Sequence, residues 1–373
     1  MTKVCVLTTV HHAYDGRIYH KQCKTLQKAG YEVTLIAPKP EKIIEHDNIQ
    51  LIPIDKPKKE WKRFLHTFSI IKKAIKTNAD VYHFHDPELL PVGVLLRLIT
   101  RKIVIFDVHE HYPNAIMSKK YLKKWVKIPV RIAYEIIEKI SLQFISGVIY
   151  TTDEVGERYK KYKSCKIENY PLLEMFEQLS INQKDPKLIL YLGGITPIRG
   201  IRELIEAFKI VSEKMDAKLL FVGGFEAESF EKEIKDKIRQ YGLESQIQFA
   251  GKVSYEEIQT YLEKASIGII PYLPVPNHLV CLPNKIFEYL AGGVIPIASN
   301  FPHYDRVLKK AGSGRAVDPE NPKEIADAIL FFLQCGQDQL NQMRERGRNE
   351  FLKSFNWKSE GNKLLDFYQS FQK

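Results

Sequence analysis

The sequence is poor in cysteine and has no uninterrupted apolar segment long enough to span a bilayer. Its five cysteines are odd in number, widely spaced and without a C-x-x-C pair, which argues against a disulfide framework and predicts a reduced protein. The most apolar long stretch, 130–150, is interrupted by charged residues, so it falls short of the roughly 18 apolar residues of a spanning helix. The first apolar run ends at His11-His12 and predicts a buried strand rather than a signal peptide.

What is present is the composition of a globular protein. Apolar residues make up 44% of the chain and charged residues 27%, which excludes extended disorder. At roughly 100–200 residues per domain, the 373 residues predict two domains, each able to bury its own core.

Positive charge is concentrated in two segments of the first half. The formal net charge is +11, and residues 56–76 contain eight Lys and Arg against one acid. Residues 119–139 contain seven Lys and Arg against two acids. These two segments account for the whole excess, so the first half is expected to present a basic surface to its partner.

Short apolar stretches alternate with amphipathic helical patterns along the chain. In the first half, strands are predicted at 4–9, 32–37, 81–84, 103–108, 147–151 and 166–169, with a helix at 17–29 closed by Gly30. In the second half, strands are predicted at 187–192, 218–222, 266–270 and 294–298, with helices at 201–214 and 284–291. This alternation is typical of parallel sheets covered by helices on both faces.

The fold class is therefore predicted to be α/β, with two doubly wound, Rossmann-like domains. We expect a first domain at 1–170, a linker at 171–186 and a second domain at 187–355, with the terminal helix at 356–373 completing the first. Ligands of such sheets bind beyond the carboxyl ends of the strands, so a cleft between the domains would be lined by strand-to-helix loops.

Two of these loops contain glycine turns suited to an anion. The loop 11–17 follows the first strand without a G-x-G-x-x-G motif, and its Gly16 would allow a close backbone approach. In the loop 192–200, Gly193 and Gly194 form the turn, and Arg199 is placed to bind a diphosphate. An ordinary connection and a surface arginine are the structural alternatives.

The segment 282–293 predicts a ligand at a helix N-terminus. Pro283 and Asn284 suit a helix start, but Lys285 in the first turn opposes the helix dipole, a conflict that a bound anion would relieve. Glu288, three residues later, shares a face with Lys285 and could accept hydrogen bonds from sugar hydroxyls. A surface ion pair is the alternative.

Histidines follow two predicted strands. His83 and His85 precede Asp86, while His109 and His111 flank Glu110. A histidine that hydrogen-bonds a ligand is the favoured interpretation. A metal site built from these histidines and a purely structural role are the alternatives.

Together these motifs resemble the GT-B glycosyltransferases of family 4, the retaining "group 1" transferases. The segment 191–208 is similar to the strand-turn-helix opening of the family's second domain, and 282–299 to its donor-binding helix and next strand. Residues 14–18 and 107–111 are similar to elements of its first domain. The resemblance spans essentially the whole chain and is most specific at 282–299.

The resemblance implies a role for several residues. Arg199 and Lys285 would grip the donor diphosphate, Glu288 would hold the ribose, His109 would lie near the transferred sugar and Gly16 would admit phosphate. Gly193, Gly194 and Asn284 would complete the donor-binding site.

The sequence departs from the family pattern at two positions. Val280 stands where the first acid of the E-x7-E motif is expected, and Gly194 stands where the family usually has an arginine. The first departure bears on the contact with the transferred sugar. Leu282 and Asn284 suggest a subgroup of the family in which Lys285 takes over phosphate binding.

The resemblance implies a glycosyltransferase of class EC 2.4 that needs no cofactor and no divalent metal. A nucleotide sugar, in the first place a UDP-sugar, would donate to a glycan or lipid-linked acceptor with retention of configuration. The sequence contains no D-x-D motif, in agreement with metal independence.

The two basic segments suggest how the acceptor side is organised. Lys62 and Arg63, and likewise Lys123, Lys124 and Trp125, lie among apolar residues in patterns typical of helices that bind anionic membrane surfaces. We therefore expect a cytoplasmic enzyme, peripheral on the inner face of the membrane. Solvated helix faces over an ordinary core are the alternative.

Three rival functions follow from the same residues. A nucleotide-sugar epimerase or hydrolase would use the same frame without an acceptor. A metal-dependent hydrolase would use His83, His85, His109 and His111. A nucleic-acid-binding protein would use the basic segments, but no RNA-binding motif accompanies them, so no nucleic-acid partner is expected.

Overall fold

The computed structural model describes residues 1–42, 48–55, 63–118, 123–254 and 257–371, without the side chains of 63–69, 118 and 124. The chain folds into two compact units. Unit 1 comprises Met1–Asn169 and Glu360–Lys373, and unit 2 comprises Tyr170–Ser359.

Within its described residues, unit 1 contains a seven-stranded parallel sheet in the order β3-β2-β1-β4-β5-β6-β7. Its strands are β1 Lys3–Leu7, β2 Glu32–Pro38, β3 Ile49–Ile54, β4 Val81–Phe84, β5 Ile103–Val108, β6 Gly147–Tyr150 and β7 Ser164–Lys166. Its helices are α1 Lys24–Lys28, α2 Arg63–Lys76, α3 Leu90–Thr100, α4 Tyr112–Ser118, α5 Lys124–Ser141 and α6 Asp153–Gly156. The neighbouring strands β1, β4 and β5 end side by side, which brings the loops after them together.

Unit 2 contains a six-stranded parallel sheet in the order β10-β9-β8-β11-β12-β13, again within the described residues. Its strands are β8 Asp185–Leu192, β9 Lys218–Val222, β10 Ile247–Gly251, β11 Ala265–Ile270, β12 Ile295–Ser299 and β13 Arg315–Val317. Its helices are α7 Ile201–Ser212, α8 Glu228–Tyr241, α9 Ile258–Lys264, α10 Asn284–Ala291, α11 Pro302–Ala311, α12 Pro322–Gln334 and α13 Gln337–Lys353. The helix α14, Trp357–Gln369, begins in unit 2 and ends in unit 1.

The predicted α/β class with two doubly wound parallel sheets is confirmed. Buried apolar clusters lie in both units, and β11, in the middle of its sheet, is buried at every residue. The predicted helix over 17–29 differs in detail, because it opens as a π-helical turn at Ile18–Cys23 before α1.

Residues 171–186, predicted to be a linker, instead pack into unit 2. Phe176 is fully buried there, and the Arg348 guanidinium of α13 donates to the carbonyls of Phe176 and Glu177. The stretch has few regular elements because it is held by side chains from distant helices, so its sequence pattern is weak.

Every helix among the described residues is too short or too polar to cross a bilayer.

Candidate functional site

The turn after β8 brings two cationic side chains together. Gly193 has φ +118°, in the region that favours glycine. A Cβ added there would lie 2.3 Å from Lys285 Cε, 3.0 Å from Lys285 Nζ and 3.3 Å from Arg199 Nη1. Lys285 and Arg199, predicted from separate motifs, therefore converge directly over this turn.

Arg199 is held in place by the backbone of the same loop. It lies in a helical turn, Pro197–Arg199, and its Nη1 donates to the carbonyl of Gly194 at 3.0 Å. Its guanidinium also lies 5.4 Å from the centre of the Tyr272 ring. A Cβ on Gly194 would be 3.0 Å from Arg199 Nη1. The missing arginine at 194 thus has a structural counterpart, because the Arg199 guanidinium occupies the adjoining space.

The helix α10 is anchored to β8 by Tyr289, a residue that no sequence motif indicates. The Tyr289 hydroxyl accepts from the backbone N–H of Leu192 at 2.9 Å and lies 3.0 Å from the carbonyl of Leu190. A Cβ on Gly268 of β11 would lie 2.5 Å from the Tyr289 ring, so this glycine leaves the space that the ring fills.

The first turn of α10 therefore lies near the Gly193 turn. Asn284 is its first residue, and no side chain caps its N-terminus. Free backbone N–H groups at a helix start favour an anion. Glu288 is buried one turn after Lys285, on the same side of the helix.

The segment between β11 and α10 is held by a second residue that the sequence did not reveal. His303 of α11 has its Nε2 at 3.1 Å from the carbonyls of both His278 and Cys281. Val280, the departure from the E-x7-E motif, lies in this segment and is half-buried. No sequence motif indicates His303, because its contacts are with backbone carbonyls, which any residue provides.

The two cations have no ionic partner in the part of unit 2 that the structure describes. Neither Arg199 nor Lys285 forms an ion pair there, although both are half-buried. Two like charges in a small, partly dehydrated space repel each other. An anion bound between them would remove this repulsion, and a diphosphate has the required charge.

In unit 1, by contrast, the loops after β1, β4 and β5 enclose a buried ion pair. The Arg17 Nη2 atom donates to the two Asp107 carboxylate oxygens at 3.1 and 3.2 Å, and the Gln22 amide donates to the same carboxylate. Burial alone would raise the pKa of Asp107, but Arg17 and the adjacent histidines outweigh it and hold the pKa well below its usual value.

His109 lies at the edge of this network. Its Nε2 is 3.0 Å from His85 Nδ1, and burial lowers its pKa to about 3 despite the nearby Asp107 carboxylate. The ring of His11 is 5.2 Å from that of His109. Burial acts to lower the pKa of His11, but the carboxylates of Asp15 and Asp86 outweigh it, so the pKa is raised. The neutral imidazole of His109 therefore lies beside the imidazole of His11, which is more basic than an ordinary histidine.

The four histidines proposed for a metal hydrolase do not form a single ligand set among the described residues. His83, His85 and Asp107 offer ligand atoms within 4.8 Å of one another. His111 is outside this group, with its Nδ1 at 3.3 Å from the backbone N–H of Asn114. Arg17 already neutralises Asp107, and its guanidinium would repel a divalent cation at the same carboxylate.

The remaining predicted residues are dispersed. Gly16 is exposed, and an added Cβ would meet no described atom within 4 Å. Packing of the described residues therefore does not require a glycine at this position. Lys123 and Trp125 are exposed at the start of α5. Lys62 lies outside the described residues, as do the side chains of Arg63 and Lys124.

Comparison with known families decides the relationship. The family described as "Glycosyl transferases group 1" matches residues 174–350, and "Glycosyltransferase Family 4" matches residues 4–168. The chain belongs to the group 1 glycosyltransferases. The resemblance stated from the motifs is thus confirmed, with one family match in each unit of this glycosyltransferase.

Individual relatives of the glycosyltransferase are distant. A phosphatidyl-myo-inositol mannosyltransferase of Mycolicibacterium smegmatis is 21% identical over 93% of this chain and 87% of that protein. An uncharacterized glycosyltransferase of Methanocaldococcus jannaschii is 28% identical, but the match spans only 39% of this chain and 35% of that protein.

Solved structures establish the fold. The crystal structure of Anabaena Alr3699/HepE in complex with UDP-glucose matches the glycosyltransferase with a TM-score of 0.72 at 14% identity, over 99% of this chain and 100% of that one. The GT-B fold predicted from the motifs is thereby confirmed.

Proposed function

We propose that this glycosyltransferase transfers the sugar of a nucleoside diphosphate sugar to a hydroxyl of a lipid-linked or polysaccharide-precursor acceptor, with retention of configuration and without a metal ion. The observation that carries the proposal is the convergence of Arg199 and Lys285 over Gly193, where neither forms an ion pair with a described residue. The acceptor class is supported by the lipid substrate in the name of the Mycolicibacterium relative.

The proposed reaction breaks the bond between the sugar's anomeric carbon and the diphosphate oxygen. The nucleoside diphosphate leaves with the bonding electrons, and the acceptor oxygen forms the new glycosidic bond. The acceptor proton passes to the leaving phosphate. Arg199, Lys285 and the N-terminus of α10 would stabilise the negative charge that grows on the leaving oxygen, which accelerates the reaction because this charge is largest in the transition state.

Other residues are assigned by the family resemblance. Glu288, buried one turn after Lys285, is proposed to bind the ribose, and Asn284 to line the phosphate site. His109 is proposed to hydrogen-bond the transferred sugar as a neutral imidazole, in keeping with its lowered pKa. Gly16 is proposed to admit phosphate; the open space at its Cβ position supports a requirement set by ligand rather than by packing.

The donor base is tested by a thermal-shift series with UDP, GDP, ADP and dTDP, followed by their sugars. We expect UDP and a UDP-sugar to give the largest stabilisation. A response confined to GDP and GDP-mannose would replace the UDP assignment and keep the diphosphate site. No response to any nucleotide would contradict the proposed function.

Acceptor dependence and metal independence are tested in the same assay. An epimerase or hydrolase would consume the donor at full rate without any acceptor, whereas the transferase requires one. Activity that is lost with EDTA and restored with manganese would contradict the metal-free mechanism.

A further inference from the structure

The helix α5 turns its apolar side chains to solvent. Seventeen large hydrophobic residues are well exposed in the described chain, and eight of them fall between 125 and 144. These eight are Trp125, Ile128, Val130, Ile132, Ile136, Ile137, Ile140 and Phe144. Four of the isoleucines, at 128, 132, 136 and 140, follow at four-residue spacing and are 51–58% exposed. This spacing places them along one side of the helix.

The side of α5 that faces the protein contains buried polar groups. Glu138 is buried, and its carboxylate accepts from the hydroxyls of Tyr134 at 2.6 Å and Tyr159 at 2.7 Å and pairs with Arg158. Ser141, three residues later and on the same side of the helix, is also buried. An ordinary surface helix instead keeps its large aliphatic side chains inward. Because rolling the helix would break a buried ion pair, α5 is fixed with its isoleucines outward.

The neighbouring helix extends this surface. Leu98 and Ile99 of α3, which packs against α5, are 55% and 59% exposed. We call the exposed apolar side chains of α5 and these two residues the outer face. Monomeric proteins rarely expose so many large apolar side chains together unless the surface binds a partner or a membrane.

The charges around the outer face are positive. Lys123, Lys139 and Arg101 are exposed, and neither lysine forms an ion pair with a described residue. The two acids of α5 are neutralised, since Glu135 pairs with Arg131 at 3.0 Å and Glu138 is buried in its own ion pair. The net charge around the outer face is therefore positive.

We propose that the outer face docks on an anionic lipid bilayer, with α5 lying in the plane of the interface. The isoleucines would enter the boundary between headgroups and acyl chains, while Lys123 and Lys139 would contact anionic headgroups. Trp125, 75% exposed, would lie at headgroup level, where indole rings concentrate. A second copy of this chain fits less well, because its identical face would bring like charges together.

Only the purpose of this docking, which is to reach a lipid-linked acceptor, rests on the proposed function. The binding itself is measured without donor or acceptor. Flotation of the 373-residue chain is compared between phosphatidylcholine vesicles and vesicles that also contain phosphatidylglycerol. We expect binding to the anionic vesicles and much weaker binding to the neutral ones.

The critical variant is Ile132→Ser combined with Ile140→Ser. It removes two exposed side chains from the outer face and should weaken vesicle binding at least about tenfold, because insertion depends on buried apolar area. The matched control is Phe331→Ser combined with Leu352→Ser, two exposed apolar residues of unit 2, which should bind vesicles like the unchanged protein.

Charge and insertion are separated by two further measurements. Lys123→Glu combined with Lys139→Glu should weaken binding to anionic vesicles specifically. The fluorescence of Trp125 should shift to the blue when vesicles are added, and this shift should be lost in Trp125→Phe. Trp357 is buried and Trp61 lies outside the described residues, so the Trp125→Phe protein with and without vesicles supplies the background signal of both.

The outcomes distinguish this inference from the proposed function. Nucleotide binding should be unchanged in the isoleucine variant, so a failure in either assay leaves the other interpretable. Equal loss of vesicle binding in the control variant would overturn the assignment to α5. Absence of vesicle binding, together with a dimer that the isoleucine substitutions dissociate, would replace the membrane by a second copy of the chain.

Discussion

The carboxyl ends of the two sheets carry charged residues in opposite states of pairing. In unit 1, the Asp107 carboxylate forms an ion pair with Arg17 and accepts a hydrogen bond from Gln22, so both buried charges have a counterion. In unit 2, Arg199 and Lys285 approach the same glycine and neither forms an ion pair with a described residue. A strand-end cluster can therefore contain its own counterion or lack one, and a cluster that lacks one favours an ion from solution.

The largest expected effect concerns the ion-paired cluster of unit 1. Asp107→Asn would leave the buried Arg17 charge without its counterion and should reduce the free energy of unfolding by about 3–5 kcal/mol. Chemical denaturation measures this loss. The matched control is Asp216→Asn, whose partner Lys187 is exposed, and little change is expected there. Equal stability of the two variants would show that the unit 1 pairing contributes little.

The next effect concerns the cationic cluster of unit 2. Lys285→Ala should lower kcat by about 10²–10³-fold without destabilising the protein, because the lost cation stabilises the leaving group. Steady-state kinetics and thermal denaturation check both parts. Lys353→Ala, an exposed lysine at the end of α13, is the control. An unchanged kcat in Lys285→Ala would remove this residue from the mechanism.

A third substitution acts on Gly193, the glycine that both cations approach. Gly193→Ala would place a methyl group 2.3 Å from Lys285 Cε and should displace the lysine, weakening nucleotide binding at least about tenfold. Gly242→Ala, also at positive φ but with no atom within 4 Å, controls for backbone strain, which costs about 1–3 kcal/mol at either position. Calorimetric titration should show the loss only in the first variant.

The smallest effect is the pH dependence of unit 1. His109 has a folded-state pKa of about 3, below its ordinary value of 6.5, so the unfolded chain gains a proton first as the pH falls. Stability should therefore decrease from about pH 6.5 downward, by at most about 1.4 kcal/mol per pH unit for this group. The raised pKa of His11 acts in the opposite sense, contributing stability below its unfolded value that is lost as the pH rises through the folded one.

Denaturation of the unchanged protein and of His109→Gln at neutral pH and near pH 5 isolates this group. The variant should lose less stability on acidification. The same comparison with His12→Gln, an exposed residue of the β1 loop, should show no such relief. An identical pH profile for all three proteins would contradict the neutral state of His109.

The central strands could be predicted from sequence, whereas several edge strands could not. The bounds of β4, β5, β9 and α10 agree with the prediction, because buried strands and strongly amphipathic helices have clear patterns. The strands β3, β10 and β13 were missed, and each lies at the edge of its sheet. Their residues are partly exposed, which weakens the apolar run that identifies a strand.

The convergence in unit 2 followed from motifs, but its supporting contacts did not. Arg199 and Lys285 were recognisable because each follows a strand and precedes or opens a helix. Tyr289, His303 and the Glu138–Arg158 pair were not, since their partners are backbone groups or residues distant in sequence. Sequence periodicity likewise predicts that α5 is amphipathic without indicating which side faces the protein.

The terminal helix has a consequence for how the chain is made. The hydroxyl of Tyr368 lies 2.7 Å from His83 Nδ1, and the Glu360 carboxylate accepts from the backbone N–H of Glu168 at 2.8 Å. Unit 2 is one continuous segment, but unit 1 lacks these two contacts until the segment Glu360–Lys373, which follows unit 2, has left the ribosome. Although translation usually completes domains from the N-terminus, unit 1 begins before unit 2 and is finished after it.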